Sequence, residues 1–132
     1  MADKVGDKDA EAPVRCAVAS SDGYLVDQHF GRAKNFDVYE AAQGEAPRFV
    51  ESRKVQRACN GQGHSNEALD AVANELADCA FVIVARIGPG ARAALSQRGI
   101  EAYEIVAESE AAIEKVMTFR RALALTNIFE EE

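Results

Sequence analysis

The apolar segment Cys79–Ala85 constrains the fold of this chain more than any other stretch. A strand that faces water on one side alternates apolar and polar residues, whereas a strand that is apolar throughout must be covered on both faces. Gly88-Pro89-Gly90 follows this segment and opens a helix, because proline suits a first helical position. The segment therefore predicts a central strand of a parallel sheet with helices packed against it.

Weaker patterns of the same kind predict the other elements. Strands are expected at 14–19, 36–40, 49–55 and 100–105, and helices are expected to start near Ser65, Pro89 and Ser109. The hydroxyl groups of Ser65 and Ser109 are expected to cap their helices.

The turn at Gln43–Pro47 pairs the second and third strands as a hairpin. The later alternation of strands and helices implies right-handed crossovers between parallel strands. Together these features predict an α/β fold with about three helices and a five-stranded mixed sheet. The expected strand order is 3-2-1-4-5, with only strand two antiparallel, which is also the order of ribonuclease H-like nucleases.

Length and charge bound the possible classes of protein. The 132 residues suit one domain, which we place at 13–126, after a charged, disordered leader at 1–12 and before an acidic tail at 127–132. A net charge of −7 argues against a general nucleic-acid binder, and the absence of a long apolar run argues against a membrane span.

The three cysteines, Cys16, Cys59 and Cys79, come without a secretion signal or a Cys-x-x-Cys pair. They predict reduced thiols in the cytoplasm rather than disulfides or a closed zinc site. Cys16 and Cys79 lie in apolar strands and are expected in the core.

Three loops should meet at one edge of this sheet. They are 20–34, 56–64 and 86–90, which leave the carboxyl ends of strands one, three and four. Open α/β sheets usually bind ligands at such an edge. The loops would bring together the following candidates: His29, Cys59 and His64 as metal ligands, Arg86, Gly88 and Gly90 as groups that hold an anion, and Arg32 and Arg92 as further local positive charge.

The residues alone leave other interpretations open. His29 could be a half-buried histidine bonded to the backbone, and Cys59 and His64 could belong to an ordinary surface loop. A nuclease of this topology would need carboxylates on its central strands to hold two magnesium ions, and strand four offers none. No nucleophile and base stand out either, so we expect a protein that is not an enzyme.

Several motifs of this chain occur together in one known family: VASSDG at 18–23, VDQHFGRA at 26–33, FDVYE at 36–40, ADC at 77–79 and VARIGPGA at 84–91. Over about residues 14–119 the chain resembles the dinitrogenase iron–molybdenum cofactor biosynthesis family, which includes NifX, the core domain of NafY and the C-terminal domain of NifB. The resemblance implies a ribonuclease H-like fold without nuclease activity.

The resemblance also implies a cytoplasmic protein that transiently binds an iron–sulfur or iron–molybdenum–sulfur cofactor or its precursor. His29 occupies the position of the family's favoured cluster contact, in the Gln-His-Phe-Gly motif. The expected partners are cluster-synthesising and cluster-accepting nitrogenase assembly proteins, with the chain a monomer or weak dimer. The alternative is a metal-free interaction or regulatory domain that binds a protein or small anion at the same edge, and a small hydrolase using His29 as a base is a weaker third.

Overall fold

The computed structural model describes residues 12–55 and 66–130 of the chain. Its elements are β1 (Val14–Val18), a 3-10 turn (Phe30–Arg32), β2 (Asn35–Ala41), β3 (Arg48–Lys54), α1 (Asn66–Glu75), β4 (Phe81–Val84), α2 (Pro89–Ser96), β5 (Glu101–Glu104) and α3 (Ser109–Glu130). The predicted strands and helices are therefore all present, with ends that differ by a few residues.

The strands form one sheet in the order β3-β2-β1-β4-β5, which confirms the predicted order. β1 pairs antiparallel with β2 and parallel with β4, and β4 pairs parallel with β5. β2 also pairs antiparallel with β3, so among the five strands that the structure describes β2 alone is reversed. This is the mixed α/β sheet that the hairpin and the later crossovers predict.

Helices cover both faces of the sheet, which gives three layers. On one face Ala17, Val82 and Val84 belong to a buried cluster with the apolar residues of α1 and α2. On the other face Phe81 and Ile83 pack in a second cluster with α3. All four residues of β4 are buried, as its continuous apolar sequence predicts.

Cys16 and Cys79 are buried free thiols, which confirms their predicted place in the core. Burial raises the pKa of each thiol to about 12. Both side chains therefore stay protonated near neutral pH and act as small apolar groups. Because the thiolate is the form that binds metal, neither thiol is a metal ligand in this state.

The start of α3 corrects the prediction for Ser109. Its hydroxyl oxygen is buried without a hydrogen-bond partner, so Ser109 does not cap the helix. Ser109 is instead the first helical residue, and its backbone N–H donates to the carbonyl of Tyr24. The first carbonyl to accept a helical hydrogen bond is that of Glu108, from Ala112. A tertiary contact with the loop after β1 therefore sets this helix end.

The other end of α3 reaches Glu130, so the helix continues into the segment predicted as an acidic tail. The predicted leader at 1–12 lies almost entirely outside the described residues, as do Ser65, Cys59 and His64. None of the helices in the described part of the chain combines the length and apolar character needed to cross a membrane.

Candidate functional site

The loop between β1 and the 3-10 turn is anchored by Phe30. The side chain of Phe30 is buried, and its ring lies 5.7 Å from the ring of Phe36 on β2. The loop also returns to the end of β1, where the N–H groups of Asp27 and Gln28 both donate to the carbonyl of Ala19. His29 is therefore held between a residue fixed to β1 and one buried in the core.

The same loop pairs with the segment that follows β4. His29 and Arg86 form an isolated parallel bridge, in which the Phe30 N–H donates to the Arg86 carbonyl at 2.9 Å. The Ala85 N–H donates to the Gln28 carbonyl at the same distance. His29 and Arg86, which are 57 residues apart in the sequence, thus share one backbone ladder at the carboxyl ends of β1 and β4.

A cavity of about 250 Å³ lies at this edge. We call it the His29 depression, and its lining residues are His29, Gly31, Arg32, Arg86, Ile87 and Gly88. The His29 side chain is exposed, unlike the half-buried histidine of the alternative interpretation. The structure therefore brings together three of the six predicted site residues and adds Arg32, which the sequence predicts only as a source of local positive charge.

The guanidinium groups of Arg32 and Arg86 differ from most others in the domain. Among the residues that the structure describes, neither forms a hydrogen bond or an ion pair. By contrast, Arg53 and Arg98 are bonded to acidic side chains. Two unpaired guanidinium groups beside an exposed imidazole suit an anionic ligand that contains a metal ion: the guanidinium groups can bind its negative charge, and the imidazole can bind its metal.

Glu104 is a residue of this edge that the sequence interpretation missed. One of its carboxylate oxygens accepts a hydrogen bond from the Ile87 N–H at 2.8 Å and so fixes the turn that presents Arg86 and Gly88. Its place at this edge could have been predicted, because Glu104 is the last residue of β5, the next parallel strand along the sheet. The same rule that places loops at carboxyl ends applies to it.

Two further carboxylates stabilise the loop itself. The N–H groups of Leu25 and Tyr24 donate to Asp22 and hold its pKa below the ordinary value. The hydroxyl and N–H of Ser21 do the same for Asp27, whose carboxylate also accepts from Gln28. Both carboxylates stay ionised and are directed toward donors of their own loop.

The two predicted glycines occupy different environments at the start of α2. Gly88 precedes the helix with extended backbone angles, and a Cβ there would meet no atom within 4 Å. A Cβ on Gly90 would lie 3.3 Å from Cδ1 of Leu69 on α1. Gly90 therefore has a packing role against α1, and it does not line the His29 depression.

The predicted ligands Cys59 and His64 lie outside the described residues, so the structure does not place them. Within the described ranges 12–55 and 66–130, no group of three or more His, Cys, Asp or Glu side chains is arranged to hold a metal ion. His29 is thus the single described residue of the predicted ligand set.

Comparison with known proteins connects this chain to one family. The family model described as dinitrogenase iron–molybdenum cofactor matches residues 12–118. The FeMo cofactor biosynthesis protein NifB of Frankia alni is 44% identical over 108 residues, covering 75% of this chain and 21% of NifB. Protein NifX of Rhodobacter capsulatus is 30% identical over 103 residues, covering 76% of this chain and 64% of NifX. The chain thus spans about a fifth of the length of the NifB relatives.

Two solved structures share the fold. The crystal structure of PH0822 superposes with a TM-score of 0.60 and 21% identity, covering 80% of this chain and 91% of that chain. The NMR structure of the Thermotoga protein TM1290 gives a TM-score of 0.52 and 19% identity, covering 76% and 84%. These likenesses concern the three-layer architecture.

Proposed function

Because this chain belongs to the dinitrogenase iron–molybdenum cofactor family, we propose that it is a carrier for an iron–sulfur or iron–molybdenum–sulfur cofactor or its precursor. The family is one of iron–molybdenum cofactor biosynthesis, with relatives in NifB and NifX. In this proposal the chain binds the cluster as cargo and releases it unchanged, without catalysing a reaction.

The observation that supports this proposal most is the pairing of His29 with two unpaired arginines. A metal–sulfur cluster needs a ligand for a metal ion and positive groups for its anionic surface. In the His29 depression the exposed imidazole supplies the first, and the guanidinium groups of Arg32 and Arg86 supply the second. Gly88 adds a place where the cluster can approach the backbone without a side chain in the way.

A small number of protein ligands suits a carrier, because the bound cluster must leave again. His29 is the main ligand in this proposal, and Cys59 and His64 assist from their loop. In this proposal Arg86 and the backbone at Gly88, which precedes α2, face the anionic cluster, whereas Gly90 contributes through its packing against α1. Each such contact is weak by itself, so binding depends on several acting together.

The proposed partners are a protein that synthesises the cluster and a nitrogenase assembly protein that accepts it. We place this exchange in the cytoplasm, where thiols such as Cys16 and Cys79 stay reduced. The chain would act as a monomer or a weak dimer.

Anaerobic titration of the apo-protein with an iron–sulfur cofactor precursor tests the proposal, with visible absorbance and bound iron as readouts. We expect stoichiometric uptake by the wild type and weaker uptake by His29→Ala. Cys59→Ala and His64→Ala report on the second loop, and Lys115→Ala, an exposed substitution on α3, is the control for general surface effects.

No uptake by folded wild-type protein would overturn the carrier proposal for that cluster. The unpaired arginines would then favour the alternative, a metal-free domain that binds a small anion or an acidic protein surface at the same edge. Equal uptake by wild type and His29→Ala would remove His29 from the ligand set.

A further inference from the structure

A second cavity adjoins the His29 depression. Its volume is about 340 Å³, and its lining residues are Ser20, Ser21, Gln28, Arg32, Lys34 and Asn35. We call it the Lys34 depression. It lies where the end of β1 meets the start of β2, and Arg32 is the residue that lines both cavities.

The lining of the Lys34 depression consists mainly of groups that donate hydrogen bonds. Arg32 and Lys34 contribute two cations, and Gln28 and Asn35 contribute side-chain amides. Within the part of the chain that the structure describes, neither Arg32 nor Lys34 has an ion-pair partner. Unpaired cations that share a cavity with amide donors match the chemistry of phosphate and carboxylate recognition.

The backbone that presents these groups is fixed. The Lys34 carbonyl accepts from the Val55 N–H at 2.8 Å, and Asn35 is in register with Lys54 of β3. On the other side, Gln28 is tied to Ala19 and Ala85 through its backbone. Ligand binding therefore has to order the side chains of Arg32 and Lys34 but not the backbone that presents them.

Acidic groups near the Lys34 depression do not neutralise its cations. Asp22 and Asp27 are sequence neighbours of lining residues, and Asp27 accepts from the N–H and hydroxyl of Ser21 at 2.8 and 2.5 Å. Asp22 accepts from Tyr24, Leu25 and Ser20. Each carboxylate is bonded within its own loop, so Arg32 and Lys34 remain available to a ligand.

We propose that the Lys34 depression is a binding site for a small oxyanion, a phosphate or a carboxylate, distinct from the His29 depression. Arg32 would offer its planar fork to two oxygens of the anion, and Lys34 would act as a point charge on a third. This site does not require the proposed cluster. Because Arg32 borders both cavities, an oxyanion bound here would alter the charge that the neighbouring depression presents.

The test is a titration of the metal-free full chain with inorganic phosphate and, separately, with malonate, followed by ¹⁵N chemical shifts at constant ionic strength. We expect saturable shifts at Ser20, Ser21 and Asn35. Arg32→Gln and Lys34→Gln should each weaken binding by roughly tenfold, the effect of losing one charge-assisted contact. Lys115→Gln, which removes the same charge from α3, should leave the affinity unchanged. Tighter binding of phosphate or of malonate identifies which oxyanion the site prefers.

Two outcomes would overturn the proposal. One is the absence of saturable shifts with either anion. The other is a set of shifts centred on Gly31, Ile87 and Gly88 that Arg86→Gln abolishes and Lys34→Gln does not, because the anion would then occupy the His29 depression. Neither result depends on cluster uptake, so this site and the carrier function succeed or fail separately.

Discussion

Two groups of arginine side chains in this domain differ in what holds them. In the Asp78 cluster, which consists of Arg15, Arg53, Asp78 and Glu51, every guanidinium has an acidic partner. Arg53 is the most firmly held, because it bonds Asp78 at 2.8 Å, Glu51 at 2.7 Å and the Glu75 carbonyl at 2.7 Å.

The His29 depression presents the opposite arrangement. Arg32 and Arg86 are exposed and, among the described residues, have no partner for their side chains. The charges of the Asp78 cluster form ion pairs in the folded domain, whereas those of Arg32 and Arg86 form none among the described residues. The comparison supports a structural role for Arg53 and the proposed binding role for Arg32 and Arg86.

The most direct test of the difference between the two regions is to remove arginine charges from each region in turn. The double variant Arg32→Gln/Arg86→Gln should weaken cluster uptake by roughly a hundredfold, about tenfold for each charge-assisted contact. Arg53→Gln should leave uptake unchanged and lower the free energy of unfolding. Anaerobic titration and urea denaturation of the same samples measure both quantities. Loss of uptake in Arg53→Gln as large as in the double variant would remove the distinction.

The second prediction concerns stability. Asp78→Ala removes the partner of Arg53 and Arg15, and we expect the free energy of unfolding to fall by about 1–2 kcal/mol. Arg86→Gln breaks no described bond, so its effect should stay within about 0.5 kcal/mol. Urea denaturation of the two variants beside the wild type checks both values. Equal destabilisation would mean that Arg86 has a structural role.

The pH dependence of the free energy of unfolding tests the ion pair between Arg53 and Asp78 in a second way. The Arg53 guanidinium holds the pKa of Asp78 below its ordinary value of 3.8. A carboxylate with a lowered pKa in the folded state contributes stability that is present above pH 3.8 and is lost as the pH falls through the folded pKa. The difference between wild type and Asp78→Ala should therefore shrink in acid. A difference that stays constant down to acid pH would show that the ion pair is not its cause.

The smallest effect is expected at Asp37 on β2, a residue that is only 7% exposed. Burial raises its pKa, so its ionised form is disfavoured in the folded state and stability falls as the pH rises above 3.8. Asp37→Asn should raise the free energy of unfolding at neutral pH, by on the order of 0.5 kcal/mol, and should have no such benefit in strong acid. Thermal unfolding at the two pH values tests this, and destabilisation at neutral pH would contradict it.

Much of the fold could be predicted because the sequence patterns that specify it are local. The continuous apolar sequence of β4 and the hairpin turn after β2 fix which strands are central and which is reversed. The start of α3 could not be predicted from Ser109, because the contact of Ser109 with Tyr24 joins distant parts of the chain.

The candidate site was predictable to a smaller extent. The edge and the residues His29, Arg86 and Gly88 followed from the rule that loops at the carboxyl ends of parallel strands converge. The packing of Gly90 against Leu69, and the choice of which arginines remain unpaired, depend on side-chain placement in three dimensions. Sequence spacing contains no such information, so the unpaired state of Arg32 emerges only from the structure.

The central claim, that His29 binds a metal–sulfur cluster at the carboxyl edge of the sheet, can be tested by pulsed electron paramagnetic resonance. The chain would be labelled with ¹⁵N-histidine and loaded anaerobically with a paramagnetic cluster. The account predicts an imidazole nitrogen coupling that is lost in His29→Ala. A coupling that is unchanged in His29→Ala, or absent from the loaded wild type, would contradict it.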